Sequence, residues 1–153
     1  MFKSYVITLS LVVLLALMQL SGALEFHDCG SKTGKFTQVI IEGCDTTKSE
    51  CVLKRNTNVS ISIDIALAEV ASAVKTVVHG KVLGIEMPFP LSNPDACQDS
   101  GLKCPLEKNE TYRYTATLPV LKSYPKVSVL VKWELQDQNN VDIVCVEIPA
   151  RIQ

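Results

Sequence analysis

The sequence predicts an all-β fold secured by three disulfides, and two observations carry the expectation. Three stretches alternate apolar and polar residues with the period of a strand that buries one face. Six cysteines, an even number, lie behind an apolar leader in a chain of 153 residues. The clearest alternation is Val59–Ile65, where odd positions are Val or Ile and even positions Ser or Asp. Val127–Leu135 repeats it, with Val127, Val129, Val131, Trp133 and Leu135 on one side. In the third, Tyr112, Tyr114, Ala116 and Leu118 face away from Arg113, Thr115 and Thr117.

The chain opens with a targeting segment. Lys3 supplies the positive start, Tyr5 to Met18 is almost wholly apolar, and Ser21-Gly22-Ala23 offers small residues for cleavage. Residues 1–23 are therefore expected to be a removed signal peptide. The mature chain, 24–153, is expected to be one domain, since its length suits a single core. Lys3 is the only charged residue removed, so the formal net charge moves from −1 to −2. That balance lacks the basic stripe a nucleic-acid partner needs.

Further strands are expected at Phe36–Ile41, Cys51–Arg55, Val74–Ile85 and Val141–Ile148, with the polar Gln136–Asn140 as the turn between the last two. Ile65–Val74 is alanine-rich and favours helix by propensity, but it is short and bracketed by strands. From Val82 to Pro105 the character changes. Prolines at 88, 90 and 94 lack amide donors, so an interior strand cannot continue through them. Phe89 thus sits on backbone leaving a sheet. It is either a core aromatic beside a stiff turn or the lip of a cavity.

Six cysteines leave many pairings open on count alone. Proximity suggests Cys44 with Cys51 and Cys97 with Cys104, each pair enclosing six residues, and elimination would join Cys29 to Cys145. Neither close pair has zinc-ligand spacing, so no metal is expected. The sequons at Asn58 and Asn109 fit an oxidising, glycosylating compartment. The chain has two histidines, His27 and His79, and no Gly-x-Ser-x-Gly elbow. A hydrolase is the rival from another class, and no catalytic residue and no cofactor are expected.

Taken together, the landmarks resemble one family. They are Asp28-Cys29-Gly30-Ser31, the Cys44/Cys51 pair, Val77-Val78-His79-Gly80, Pro88-Phe89-Pro90, Cys97 with Lys103-Cys104-Pro105, Leu118-Pro119-Val120, Tyr124-Pro125 and Trp133-Glu134-Leu135-Gln136-Asp137. In order and spacing these resemble the ML lipid-recognition domain, most closely its Niemann–Pick type C soluble sterol-carrier (epididymal secretory protein) branch. The resemblance implies an immunoglobulin-like β-sandwich of two antiparallel sheets with an apolar cavity between them. It also implies the pairings Cys29–Cys145, Cys44–Cys51 and Cys97–Cys104. Carried over by motif, Phe89, Val120 and Tyr124 match residues important for sterol binding, and Trp133 matches a tryptophan of the pocket wall.

Inward candidates from the alternation are Ile61, Ile63, Ile65, Val78, Val82, Val127, Val129 and Val131, medium-sized side chains that would leave a slot if the sheets splay. Two positions depart from the family's pattern. Val146 stands where the resembled carriers have a pocket tryptophan, and Met87 where valine is common. Both are expected to reshape the slot. The function expected is a monomeric carrier that takes up a sterol-like lipid and hands it to a membrane or a receptor protein. Secretion or the lysosomal lumen is the expected location. The family's other branches make fatty acids, small volatile lipids and microbial lipids the alternative ligands.

Overall fold

The computed structural model describes residues 22–153, so the expected signal peptide, apart from Gly22 and Ala23, lies outside the described residues. Nine strands form and, among the described residues, no helix: β1 (His27–Asp28), β2 (Gly34–Ile41), β3 (Cys51–Leu53), β4 (Thr57–Leu67), β5 (Lys75–Val82), β6 (Ile85–Phe89), β7 (Thr111–Val120), β8 (Ser128–Gln136) and β9 (Asp142–Ile152). They make two facing sheets. The smaller has the order β2-β4-β7, and the larger β1-β9-β8-β5-β6 with β3 beside β9. Pairing is antiparallel throughout except for β3, which runs parallel to the last residues of β9.

The alternating stretches become the centre of this sandwich. In β4 the odd side chains Ile61, Ile63, Ile65 and Leu67 are buried. Their partners in β7 include Ala116 opposite Ile61 and Tyr114 opposite Ile63, so both strands turn apolar faces the same way. In β8, Val129, Trp133 and Leu135 are buried in the same rhythm, opposite Ala150, Val146 and Val144 of β9. The β8–β9 turn is built by Asp137, whose carboxylate accepts the amides of Asn139 and Val141, with Asn140 in the left-handed region at φ 58°.

One expectation is corrected. Val74–Ile85 is not one strand: Leu83 and Gly84 both take positive φ, 51° and 83°, and fold the segment into the β5–β6 hairpin. Two left-handed residues in succession suit the right-handed twist of a tight hairpin. Nothing in the apolar run Val82-Leu83-Gly84-Ile85 except the glycine advertises this. Beyond Leu67 the alanine-rich segment bends and carries only an isolated bridge, in which Ala71 and Leu106 exchange both backbone hydrogen bonds and so claim donors a helix would need. As the prolines require, β6 is an edge strand, and Phe89 is its last residue.

The disulfides join Cys29 to Cys145, Cys44 to Cys51 and Cys97 to Cys104. The first is braced by its surroundings. Cys29 N–H donates to the Cys145 carbonyl, Cys145 N–H donates to Ser31 Oγ, and the Asp28 carboxylate accepts the amides of Gly30 and Ser31. Although burial works against the charge of Asp28, those donors hold its pKa below the ordinary carboxylate value. The bond spans 116 positions of sequence against 7 for each of the others. Chain entropy then predicts about 4–5 kcal/mol from the long loop and about 2–3 from each short one. Replacing Cys29 and Cys145 together by alanine should lower the melting midpoint more than removing either local pair, which thermal melts of the three double variants will check.

Candidate functional site

The space between the sheets is filled at one end and open at the other. At the filled end Tyr114 of the small sheet meets Trp133 of the large one, ring centroids 6.2 Å apart and planes tilted by 59°. Tyr114 Oη and Thr76 Oγ1 are hydrogen-bonded at 3.0 Å, which satisfies both hydroxyls in the interior. Burial raises the Tyr114 pKa, so the phenol stays neutral there. Ile63, Ile65, Leu135, Val144 and Val146 complete this dry core.

Beyond Trp133 a cavity of about 490 Å³ remains. Its boundary crosses every central strand: Ile61, Val78, Leu118, Val131, Trp133 and Ile148 line it, whereas Ile63, Thr76, Ala116, Leu135 and Val146 do not. The cause lies in side-chain size. The large-sheet positions facing this end include Gly80, Val129 and Ala150, and across from them stand Val59, Ile61 and Val120. Such side chains are too short to interdigitate across the full gap between two sheets, about 10 Å.

The mouth lies where lining residues reach solvent. Phe89 at the end of β6 and Tyr124 in the β7–β8 loop are half-buried and meet edge to face, centroids 5.8 Å apart at 71°. Around them stand Met87, Pro88, Pro90, Leu121 and Pro125, all exposed. The prolines set the lip: they end the β6 ladder and stiffen the loop that carries Tyr124. Next to the mouth the β5–β6 hairpin projects Leu83, 98% exposed, and Ile85, 67% exposed.

Of the residues singled out as lipid-contacting, the structure brings Phe89, Val120, Tyr124, Trp133, Ile61, Val78, Val82, Met87, Val129 and Val131 around this one cavity. Val146 is the exception and corrects the expectation that it shapes the slot. It is fully buried and pairs in register with Trp133, on the dry side of the boundary. Sequence reasoning missed Leu53, Leu118, Ile148 and Ile152 as lining residues. Leu118 was already legible in the β7 alternation. Leu53 and Ile152 come together only through the parallel β3–β9 pairing.

Ionisable side chains gather around His79, whose residue borders the cavity. His79 Nδ1 is 3.4 Å from Glu134 and 3.9 Å from Glu86, and Lys132 Nζ lies 3.2 Å and 3.6 Å from the same two carboxylates. Burial opposes the charge of Lys132, but these carboxylates outweigh it and hold its pKa above the ordinary lysine value. The alternation that sends Val78 inward places this cluster on the outer face of the sheet. Among the described residues, Glu134, Asp142 and Cys145 come close enough to suggest a metal site, but Cys145 is committed to its disulfide and has no thiolate to offer. Asn58 and Asn109, the sequon residues, are both exposed.

Because Val146 faces close-packed core, Val146→Trp should overpack it and destabilise the fold by about 1–3 kcal/mol. Lipid selectivity should change little. Denaturant melts beside a cholesterol–oleate competition test this; unchanged stability with altered selectivity would return Val146 to the cavity wall.

Comparison with known proteins places these features in a family. A family model described as the ML domain matches residues 23–152. The chain is 83% identical over 138 residues to the NPC intracellular cholesterol transporter 2 homolog a of Drosophila melanogaster, covering 90% of this chain and 93% of the relative. It is 37% identical over 143 residues to the bovine (Bos taurus) NPC intracellular cholesterol transporter 2, with 94% of each chain covered. Among solved structures, a Niemann-Pick type C2 protein from Japanese carpenter ant superposes with a TM-score of 0.81 at 35% identity, covering 84% of this chain and 99% of that one. The two-sheet sandwich, its three disulfides and these matches show that the chain belongs to the ML-domain family, alongside the Niemann–Pick type C2 proteins.

Proposed function

We propose that this protein is a secreted or lumenal lipid carrier that holds one sterol-like molecule between its sheets and releases it to a membrane or a receiving protein. The observation that carries the reading is the cavity itself: about 490 Å³, walled by aliphatic and aromatic side chains and ending on Trp133. The names of its relatives, cholesterol transporters, supply the ligand class. Transfer of a sterol's apolar surface out of water, roughly 400–500 Å², is worth on the order of 10–12 kcal/mol gross. Association and ordering costs then leave an affinity of about micromolar to nanomolar. No bond is made or broken in such a cycle, and a monomer suffices.

Phe89, Val120, Tyr124, Trp133, Ile61, Val78, Val82, Met87, Val129 and Val131 are the proposed ligand contacts. Trp133 is the chain's single tryptophan, so energy transfer from it to the fluorescent sterol dehydroergosterol reads binding directly. Phe89→Ala and Tyr124→Ala should each weaken binding about ten- to hundredfold, with smaller effects on melting. Ile63→Ala, in the dry core, should instead destabilise the fold by about 2–5 kcal/mol. Stability losses with unchanged affinity at Phe89 and Tyr124 would make them core residues and remove them from the site.

Hand-off to a membrane draws support from the exposed apolar side chains of the β5–β6 hairpin, Leu83 and Ile85, which lie beside the mouth. Leu83→Asp with Ile85→Asp should slow dehydroergosterol transfer to phosphatidylcholine vesicles about tenfold or more and leave equilibrium binding intact. Equal transfer rates would place the delivering surface elsewhere.

A further inference from the structure

We infer that Arg55 is a positioning residue for the mouth, one that sets how fast lipid enters and leaves without setting how tightly it is held. The inference rests on the carrier reading above. Arg55 lies between β3 and β4, and its backbone is anchored to the framework: its N–H donates to the carbonyl of Gln153 at 2.8 Å. From that base the guanidinium reaches across to the β7–β8 loop. Its Nη1 donates to the carbonyl of Lys122 at 3.0 Å and to the carbonyl of Tyr124 at 3.3 Å.

Those two carbonyls belong to the loop that carries Tyr124 against Phe89. Within the loop, Tyr124 N–H bonds to the Leu121 carbonyl at 3.1 Å, which shapes the turn but does not tie it to either sheet. Pro119 and Pro125 flank the turn and have no N–H to donate. The Arg55 bonds are therefore a link from this turn to the fixed frame. Phe89, by contrast, is held by the β5–β6 ladder, where it pairs with Val78. A rigid sterol passing between Phe89 and Tyr124 needs the aromatic pair to part, and the loop side is the side held by side-chain bonds. Swinging the loop outward breaks both Arg55 bonds.

The kinetic signature follows from where the guanidinium is aimed. Arg55 is not among the cavity-lining residues, and its bonds go to backbone carbonyls rather than toward the ligand space. It favours the closed loop equally with lipid inside or outside. Loosening it lowers the barrier in both directions, so association and dissociation accelerate together while their ratio holds. Arginine suits the task because its guanidinium is charged at every physiological pH and presents its donors in a rigid plane. Lysine keeps the charge but carries it on a more flexible stem, so it holds the two carbonyls less firmly.

Stopped-flow energy transfer from Trp133 to dehydroergosterol, on the full mature chain, tests the inference. Arg55→Ala should raise association and dissociation rates each by about tenfold, the loss expected for charge-assisted hydrogen bonds at a partly exposed site, with Kd moving less than about threefold. Arg55→Lys should fall between Ala and wild type. Folded variants with wild-type rates would overturn the inference. So would a weakened Kd carried by dissociation alone, which would mean that Arg55 acts on the bound lipid. Should Arg55→Ala melt too readily for kinetics, Arg55→Lys together with hydrogen exchange of the Leu121–Tyr124 amides decides: faster exchange there with faster lipid kinetics supports the link, and unchanged exchange overturns it. A wild-type protein that binds no dehydroergosterol fails at the carrier reading itself, an outcome visible before any variant is made.

Discussion

Trp133 divides the interior, and the other features of the site depend on where that division falls. Its ring, set against Tyr114, spans the distance between the sheets and closes one half of the sandwich into ordinary dry core. On the other side, inward of the Phe89–Tyr124 pair at the mouth, Gly80 and Ala150 occupy inward positions where a bulkier residue would begin to fill the gap. Empty apolar space in a protein interior normally costs stability, because the atoms lining it lose dispersion partners. A lipid supplies those partners. The same deficit that weakens packing at this end is thus the source of affinity for an apolar guest.

Opening a sandwich at one end raises the problem of how the sheets remain together. Part of the answer is covalent: Cys44–Cys51 joins the segment after β2 of the small sheet to β3 of the large one beside the cavity, and Cys29–Cys145 fastens the passage from β1 to β2 onto β9 at the closed end. Part is topological. β9 is flanked by β8 along its length and, on its other side, by β1 and then β3, so both of its edges are covered. What stays loosely held is the mouth, made from an edge strand that prolines interrupt and a turn secured by one arginine.

Strand-level reading of the sequence succeeded where burial has a period. Val59–Ile65 and Val127–Leu135 lie within the observed β4 and β8 or at their edge, because one-sided burial writes itself into every second residue. It failed at Leu83-Gly84, where a turn of two left-handed residues hides inside an apolar run and Leu83 is exposed against its character. Val146 was placed by family resemblance rather than by strand reading. The motif places that residue beside the pocket in sequence terms, but the β8–β9 register sets it opposite Trp133, inside the dry core. The link from Arg55 to Lys122 and Tyr124 crosses nearly seventy positions and has no local signature at all.

The sequence by itself determined the class of fold, the two close cysteine pairs and the family, because each is written in local pattern, composition or ordered motif. It also singled out Phe89, through prolines that forbid the strand to continue. Only the tertiary structure decided where the interior stops being core and becomes cavity. That boundary depends on which side chains face each other across two sheets, and on whether their combined length closes the gap. Such pairings join residues remote in sequence, as Tyr114 with Trp133, and no periodicity along one strand can state what stands opposite it.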